Sequence, residues 1–204
     1  QIMTKDDDSL VMKSIADASQ LLAQGEVMQL SLTNNLDTTT DRYLKVIEGK
    51  TSALFSAASV LGGIITEQNS DTLTKLSMFG KYLGIAFQIL DDVLDYDISS
   101  NNFGKTFGDD FKEGKVTLPL IIAYKKSTPK EKIFWKNAIE ELKQDKDDFK
   151  YATSIIIKYH CLEEAKETAM KYVRQAKLIL TSFPKNQFRL SLENICDFVF
   201  KRKS

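Results

Sequence analysis

Apolar residues recur at helical spacing along almost the whole chain. Leu10, Ile15, Leu22 and Met28 place one long helix over residues 9 to 32, with Asp8 or Ser9 as its cap. The polar stretch from Thr33 to Thr40 reads as a turn. Asp41 is placed to cap a second helix carrying Tyr43, Leu44, Ile47, Leu54, Leu61 and Ile65, with Gly49 and Gly62-Gly63 as points of bending or breakage. Ser70 or Asp71 opens a third helix, which ends near Tyr96. Residues 99 to 114 are polar and glycine-containing and read as a loop, and a short helix follows Pro119. Thr128-Pro129-Lys130-Glu131 reads as a capping box with proline at the first helical position, opening a helix to about Gln144. Two or three amphipathic helices complete the chain, with a break at Pro184. No strand-like alternation joined by hairpin turns interrupts this pattern. The expectation is one all-α domain over residues 1–204, without internal repeat or linker.

Composition narrows the function classes. The 204 residues are 43% hydrophobic and 27% charged, enough for one sizeable core. The 28 basic and 28 acidic residues cancel, so nothing in the balance points to nucleic acid or an anionic membrane. No apolar run reaches transmembrane length and no signal peptide is visible. Cys161 and Cys196 lie far apart, without a CxxC or Cys/His cluster, and read as reduced core residues of a cytoplasmic protein; the spacing gives a disulfide no support. His160 is the single histidine, which rules out multi-histidine metal sites; beside Tyr159 and Cys161 it reads as structural. The chain starts Gln1-Ile2-Met3, which reads as a piece of a longer product.

The chemistry concentrates between Phe87 and Pro119. Gln88, Asp91 and Asp95 share one helical stripe, with Asp92 flanking it and Gly84 continuing it without a side chain to block a ligand. Three carboxylates so close either protonate or are neutralised by a cation. All-oxygen ligands suit Mg²⁺ or Ca²⁺ rather than zinc. Gly104-Lys105 and Gly114-Lys115 follow, with Asp109-Asp110 between them, and the lysines suit phosphate oxygens. An acidic helix end facing solvent is the plainer alternative. It is weakened by the apolar Leu90, Val93, Leu94 and Tyr96 interleaved with the acids, where charges are costly without partners. Upstream, Tyr43, Ile47 and Lys50 form another stripe, with Thr51 following; an ammonium and a hydroxyl together can hold a diphosphate, though a lone surface lysine is usually just solvated.

In order along the chain stand GEVMQL (25–30), GKT (49–51), FQILDDVLDY (87–96), the glycine-lysine pair at 104–105, and DDFKEGKVTLPL (109–120). Together they resemble the trans-polyprenyl (isoprenyl) diphosphate synthases, most of all the long-chain bacterial octaprenyl-type branch that supplies quinone side chains. The resemblance implies an all-α helical bundle of the isoprenoid synthase type around a deep cavity, usually a homodimer. It implies Mg²⁺ held by two facing aspartate-rich motifs, with Asp91, Asp92 and Asp95 matching the second. Lys50, Thr51, Gln88 and Lys105 match residues around the allylic diphosphate, Asp110 and Lys115 match outer members of the polar network, and Phe87 would line the cavity or belong to the ordinary core. The implied reaction condenses isopentenyl diphosphate with an allylic diphosphate and needs no side-chain nucleophile.

The family's first aspartate-rich motif, with its arginines, has no counterpart here. Asp6-Asp7-Asp8 sits in a polar turn without the following apolar helix. The resemblance therefore covers the C-terminal two-thirds of a family member, with the bundle incomplete at the N-terminus. The expectation is a chain inactive alone, partnered by its missing N-terminal segment. The alternative is a non-catalytic partner subunit of a heteromeric synthase. Such subunits usually let their aspartate motifs decay, whereas this chain keeps its acids and lysines.

Overall fold

The structure, a computed structural model, describes residues 9–97 and 107–201. Among the described residues it is entirely helical. Helix α1 (Ser9–Leu32) is followed by α2 (Thr40–Ile47), a π-helical turn (Glu48–Ser52) and α3 (Ala53–Ile65). Then come α4 (Ser70–Tyr96), the short α5 (Asp109–Lys112) and α6 (Leu118–Lys126). Helix α7 (Pro129–Trp135) runs into a second π-helical turn (Lys136–Glu140), and α8 (Asp148–Lys158), α9 (Cys161–Leu180) and α10 (Gln187–Lys201) complete the order.

The central element is α4, flanked by α3 and α9. Its C-terminal half is buried nearly all round, with Ala86, Ile89, Val93 and Tyr96 in the core beside Phe111, Trp135, Ile156 and Ala169. A helix so enclosed is one whose charged residues must find partners.

Several expectations shift by a residue or a turn. Asp41 does not cap α2; Thr39 does, its hydroxyl accepting the Arg42 N–H at 3.3 Å. Asp41 instead lies in the first turn, where a carboxylate complements the helix dipole. Neither Ser70 nor Asp71 caps α4: Asn69 does, accepting from the Thr72 N–H at 2.9 Å. Gly49 does not break its helix but widens it into the π-helical turn. Gly62-Gly63 does not stop α3, which runs on to Ile65. The expected loop over 99–114 contains α5, and the helix expected to reach Gln144 leaves α-geometry at Lys136.

The capping box at Thr128 forms as expected and carries more than a cap. The buried Glu131 carboxylate accepts the Thr128 N–H and hydroxyl, both at 2.8 Å, the Lys158 ammonium at 2.8 Å and the Tyr159 hydroxyl at 2.9 Å. These donors, Lys158 foremost, pull its pKa down to about 2. Next to it the buried Trp135 indole donates to Ser127 Oγ at 3.0 Å. Cys161 and Cys196 are both buried free thiols, pushed up to about 12 and about 11 by burial. Among the described residues no helix is long and apolar enough to cross a membrane.

Candidate active site

The polar face of α4 opens on a cavity of about 250 Å³. Gln88, Asp91 and Asp92 contribute from α4, Tyr43, Val46 and Ile47 from α2, and Lys50 from the π-helical turn. Gln29 and Leu32 close it from α1, and Asp110, Lys115, Val116 and Thr117 from the segment around and after α5.

Close helix approach brings these groups together. Gly25 of α1 packs directly on Gly49 and Lys50, and a Cβ on Gly49 would lie 2.9 Å from the Leu21 carbonyl oxygen. The contact holds Lys50 against α1, where its ammonium donates to Gln29 Oε1 at 2.6 Å and pairs with Glu26 at 3.3 Å. Thr51 faces the other way and donates to Gln88 Oε1 at 2.7 Å. Gln88 in turn donates from Nε2 to Asp92 Oδ1 at 2.8 Å, while the buried Tyr43 hydroxyl donates to Asp92 Oδ2 at 2.6 Å. Thr51, Gln88, Asp92 and Tyr43 thus form one hydrogen-bonded chain.

The three aspartates of α4 do not act alike. Asp91 and Asp92 line the cavity. Asp95 is turned toward α5, its oxygens accepting the backbone N–H of Asp109 at 3.3 Å and of Asp110 at 3.1 Å. The Gly108 N–H donates to the Asp95 carbonyl at 3.1 Å, and Gly108 has φ 78°, where glycine is favoured. Asp95 therefore anchors the segment that carries Asp110 and Lys115 into the site. Lys115 pairs with Asp110 at 3.2 Å and with Glu113 at 2.7 Å.

Among the described residues the site is short of positive charge. Burial, then the Asp110 charge, pushes Asp92 up to about 8; burial and the same neighbour push Asp95 up to about 6. Asp110 is raised by burial, against the pull of Lys115. Among the described residues no three acidic, His or Cys side chains gather closely enough to form a ready-made metal cage. Mg²⁺ rarely uses one: it takes one or two carboxylates and completes its shell with water and phosphate. Asp91, Asp92 and Asp110 line the same cavity and fit that pattern, and a cation there would offset the Asp110 charge that adds to burial in raising Asp92.

Phe87 lies outside the cavity lining; its ring packs on Phe55 at 5.3 Å and against the core. Lys105 lies outside the described residues. Gly84 does not face a ligand, because α3 packs onto it. The sequence reading missed Tyr43, Gln29 and Glu26 as site residues. Tyr43 already stood on the Lys50 stripe, and Glu26 and Gln29 lie within GEVMQL, so the signal was present without a partner to interpret it.

Comparison with known proteins bears on family and fold. The family model described as Polyprenyl synthetase matches residues 1–156. The octaprenyl diphosphate synthase of Escherichia coli (strain K12) is 40% identical over 141 residues, covering 69% of this chain and 44% of that protein. The geranylgeranyl diphosphate synthase of Saccharolobus solfataricus is 37% identical over 153 residues, covering 75% and 46%. The chain thus spans less than half the length of these curated relatives. Among solved structures, a decaprenyl diphosphate synthase from Rhodobacter capsulatus superposes with TM-score 0.93 at 42% identity, over 100% of this chain and 63% of that one. A polyprenyl synthase from Caulobacter crescentus CB15, complexed with calcium and isoprenyl diphosphate, gives 0.95 at 38% identity, over 99% and 62%. The all-α fold is that of these synthases.

Proposed function

The chain belongs to the polyprenyl synthetase family, and on that premise we propose that it serves a trans-prenyltransferase that condenses isopentenyl diphosphate with an allylic diphosphate to make a long-chain polyprenyl diphosphate. The observation that carries the reading is the shared cavity: Lys50, Asp91, Asp92, Asp110 and Lys115 line one space. Two of the named relatives are an octaprenyl and a decaprenyl diphosphate synthase, which favours the long-chain branch over the geranylgeranyl diphosphate synthase also named.

In this reading Lys50 binds the allylic diphosphate as a charge, Thr51 holds Gln88 through its hydroxyl, and Lys105, outside the described residues, is assigned to the same diphosphate by its place in the motif order. Asp91 and Asp92 hold Mg²⁺, Asp95 fixes α5 beneath them, and Lys115 with Asp110 completes the polar rim. Mg²⁺, when bound, supplies Lewis-acid neutralisation of diphosphate charge. The allylic C–O bond breaks with its electron pair leaving on the diphosphate. The isopentenyl double bond attacks the allylic carbon, and a proton is then lost. Lys50 stabilises charge as it develops on the leaving oxygens. No nucleophilic side chain is required.

The 204 residues contain one DDxxD sequence, Asp91 to Asp95, so we propose that by themselves they turn over slowly. Ionisation of the diphosphate needs cations on both sides, and removing even one preorganised partner typically costs roughly 10²- to 10³-fold. A non-catalytic subunit would have no use for the lysines and acids around the cavity. The remaining parts of the reading are a homodimer and a cytoplasmic location. The test is incorporation of labelled isopentenyl diphosphate by these residues joined to the N-terminal part of a solved relative. The expected result is Mg²⁺-dependent elongation that Lys50→Ala or Asp91→Ala slows by roughly 10²-fold or more. Elongation indifferent to both substitutions would overturn the reading.

A further inference from the structure

Tyr43 has no role in the reaction as written above, yet it reaches the most buried acid of the site. Its ring is 4% exposed and its hydroxyl lies 2.6 Å from Asp92 Oδ2. Asp92 Oδ1 receives Gln88 Nε2 at 2.8 Å. Two donors on opposite oxygens of one carboxylate fix its rotation about the terminal torsion, which is otherwise broad. Each carboxylate oxygen has two acceptor sites, so both oxygens of Asp92 keep one for a further ligand. The donors come from different elements: Tyr43 from α2, seven residues before Lys50, and Gln88 from α4, where it also receives Thr51.

We propose that Tyr43 is a positioning residue, which with Gln88 clamps the Asp92 carboxylate so that its remaining acceptor sites meet Mg²⁺ in the cavity. The inference rests on the function proposed above and deepens it. Through the clamp, the Lys50–Thr51 segment that grips phosphate and the acid that grips the cation hold a fixed spacing. A carboxylate with one donor removed could still bind a cation, but it would first have to be oriented. The loss should therefore fall on the cation requirement more than on phosphate binding by lysine.

The experiment titrates inorganic pyrophosphate into the 204-residue chain at a series of Mg²⁺ concentrations, for the unaltered chain, Tyr43→Phe, Asp92→Asn and the double variant. Tyr43→Phe keeps the ring and should raise the Mg²⁺ concentration at half-effect about tenfold, the scale of one hydrogen bond to a charged group. Pyrophosphate binding without Mg²⁺ should stay unchanged. The double variant should match Asp92→Asn, because Tyr43 acts through Asp92. That comparison still reads the coupling should Tyr43→Phe alone fold poorly, since the double variant no longer buries a carboxylate lacking a donor. An unchanged Mg²⁺ half-effect in Tyr43→Phe, or further weakening of Asp92→Asn by Tyr43→Phe, would overturn the proposal. Absence of Mg²⁺-dependent pyrophosphate binding in the unaltered chain would instead overturn the functional reading beneath it.

Discussion

Gly84 of α4 and Ser52 at the end of the first π-helical turn stand in backbone contact: a Cβ on Gly84 would lie 2.7 Å from the Ser52 Cα. The Ser52 hydroxyl donates to the Lys81 carbonyl at 2.5 Å, one turn away on the same face of α4. This contact places Thr51 on Gln88 and Lys50 beside the cavity, so the site's geometry depends on the absence of one methyl group.

Gly84→Ala should accordingly destabilise the protein by about 1–3 kcal/mol, the range for overpacking a filled contact. Urea denaturation measures it. Loss of pyrophosphate affinity should accompany it, because the helix that moves carries Lys50 and Thr51. Full stability in Gly84→Ala would mean that α3 and α4 tolerate a wider spacing.

Acid and base should destabilise the metal-free protein for different reasons. Asp92 at about 8 and Asp95 at about 6 bind a proton more tightly folded than unfolded. Their contribution is complete below the usual carboxylate pKa of about 3.9 and is lost as pH rises through 6 and then 8. Glu131, held at about 2, contributes the opposite way: its stability is present above about 4.3 and is lost as pH falls toward 2. Urea midpoints in a chelator should peak at about pH 4–5 and decline on both sides. Glu131→Gln should blunt the acid decline and leave the alkaline one in place. A midpoint rising steadily from pH 5 to 8 would contradict this.

Much of this fold was legible because its signals are local. The Thr128–Glu131 box needs partners three residues apart, and both are visible in the sequence. Residues whose partners lie far along the chain were read less well. Tyr43 meets Asp92 across 49 positions, and no local pattern marks that pairing. The π-helical turn depends on Gly25 of one helix meeting Gly49 of another, so helical periodicity shows only a glycine that could bend the chain. Asp95 shares the DDxxD spacing with Asp91, yet its partners are backbone N–H groups at 109 and 110, which carry no residue signature. The cap of α2 went to Thr39 rather than Asp41 because three consecutive threonines offer equivalent caps.

Association should be measurable. Leu10, Leu21 and Met78 border an open groove of about 460 Å³ between α1, α3 and α4, and Leu54 of α3 is 47% exposed. These exposed apolar side chains suit contact with another chain, and the homodimer proposed above makes a second copy of this one the expected partner. Sedimentation at micromolar concentrations should show a dimer or larger species, reduced by Leu21→Glu. A well-behaved monomer would contradict the expectation.

The most direct measurement is calorimetric titration of the 204-residue chain with inorganic pyrophosphate, with and without Mg²⁺, beside Asp91→Ala and Lys50→Ala. We expect weak binding that strengthens when Mg²⁺ is present. Asp91→Ala should abolish that strengthening, and Lys50→Ala should weaken binding under both conditions. Binding that ignores Mg²⁺, or that is unchanged in Asp91→Ala, would contradict a diphosphate site built on the carboxylates of α4.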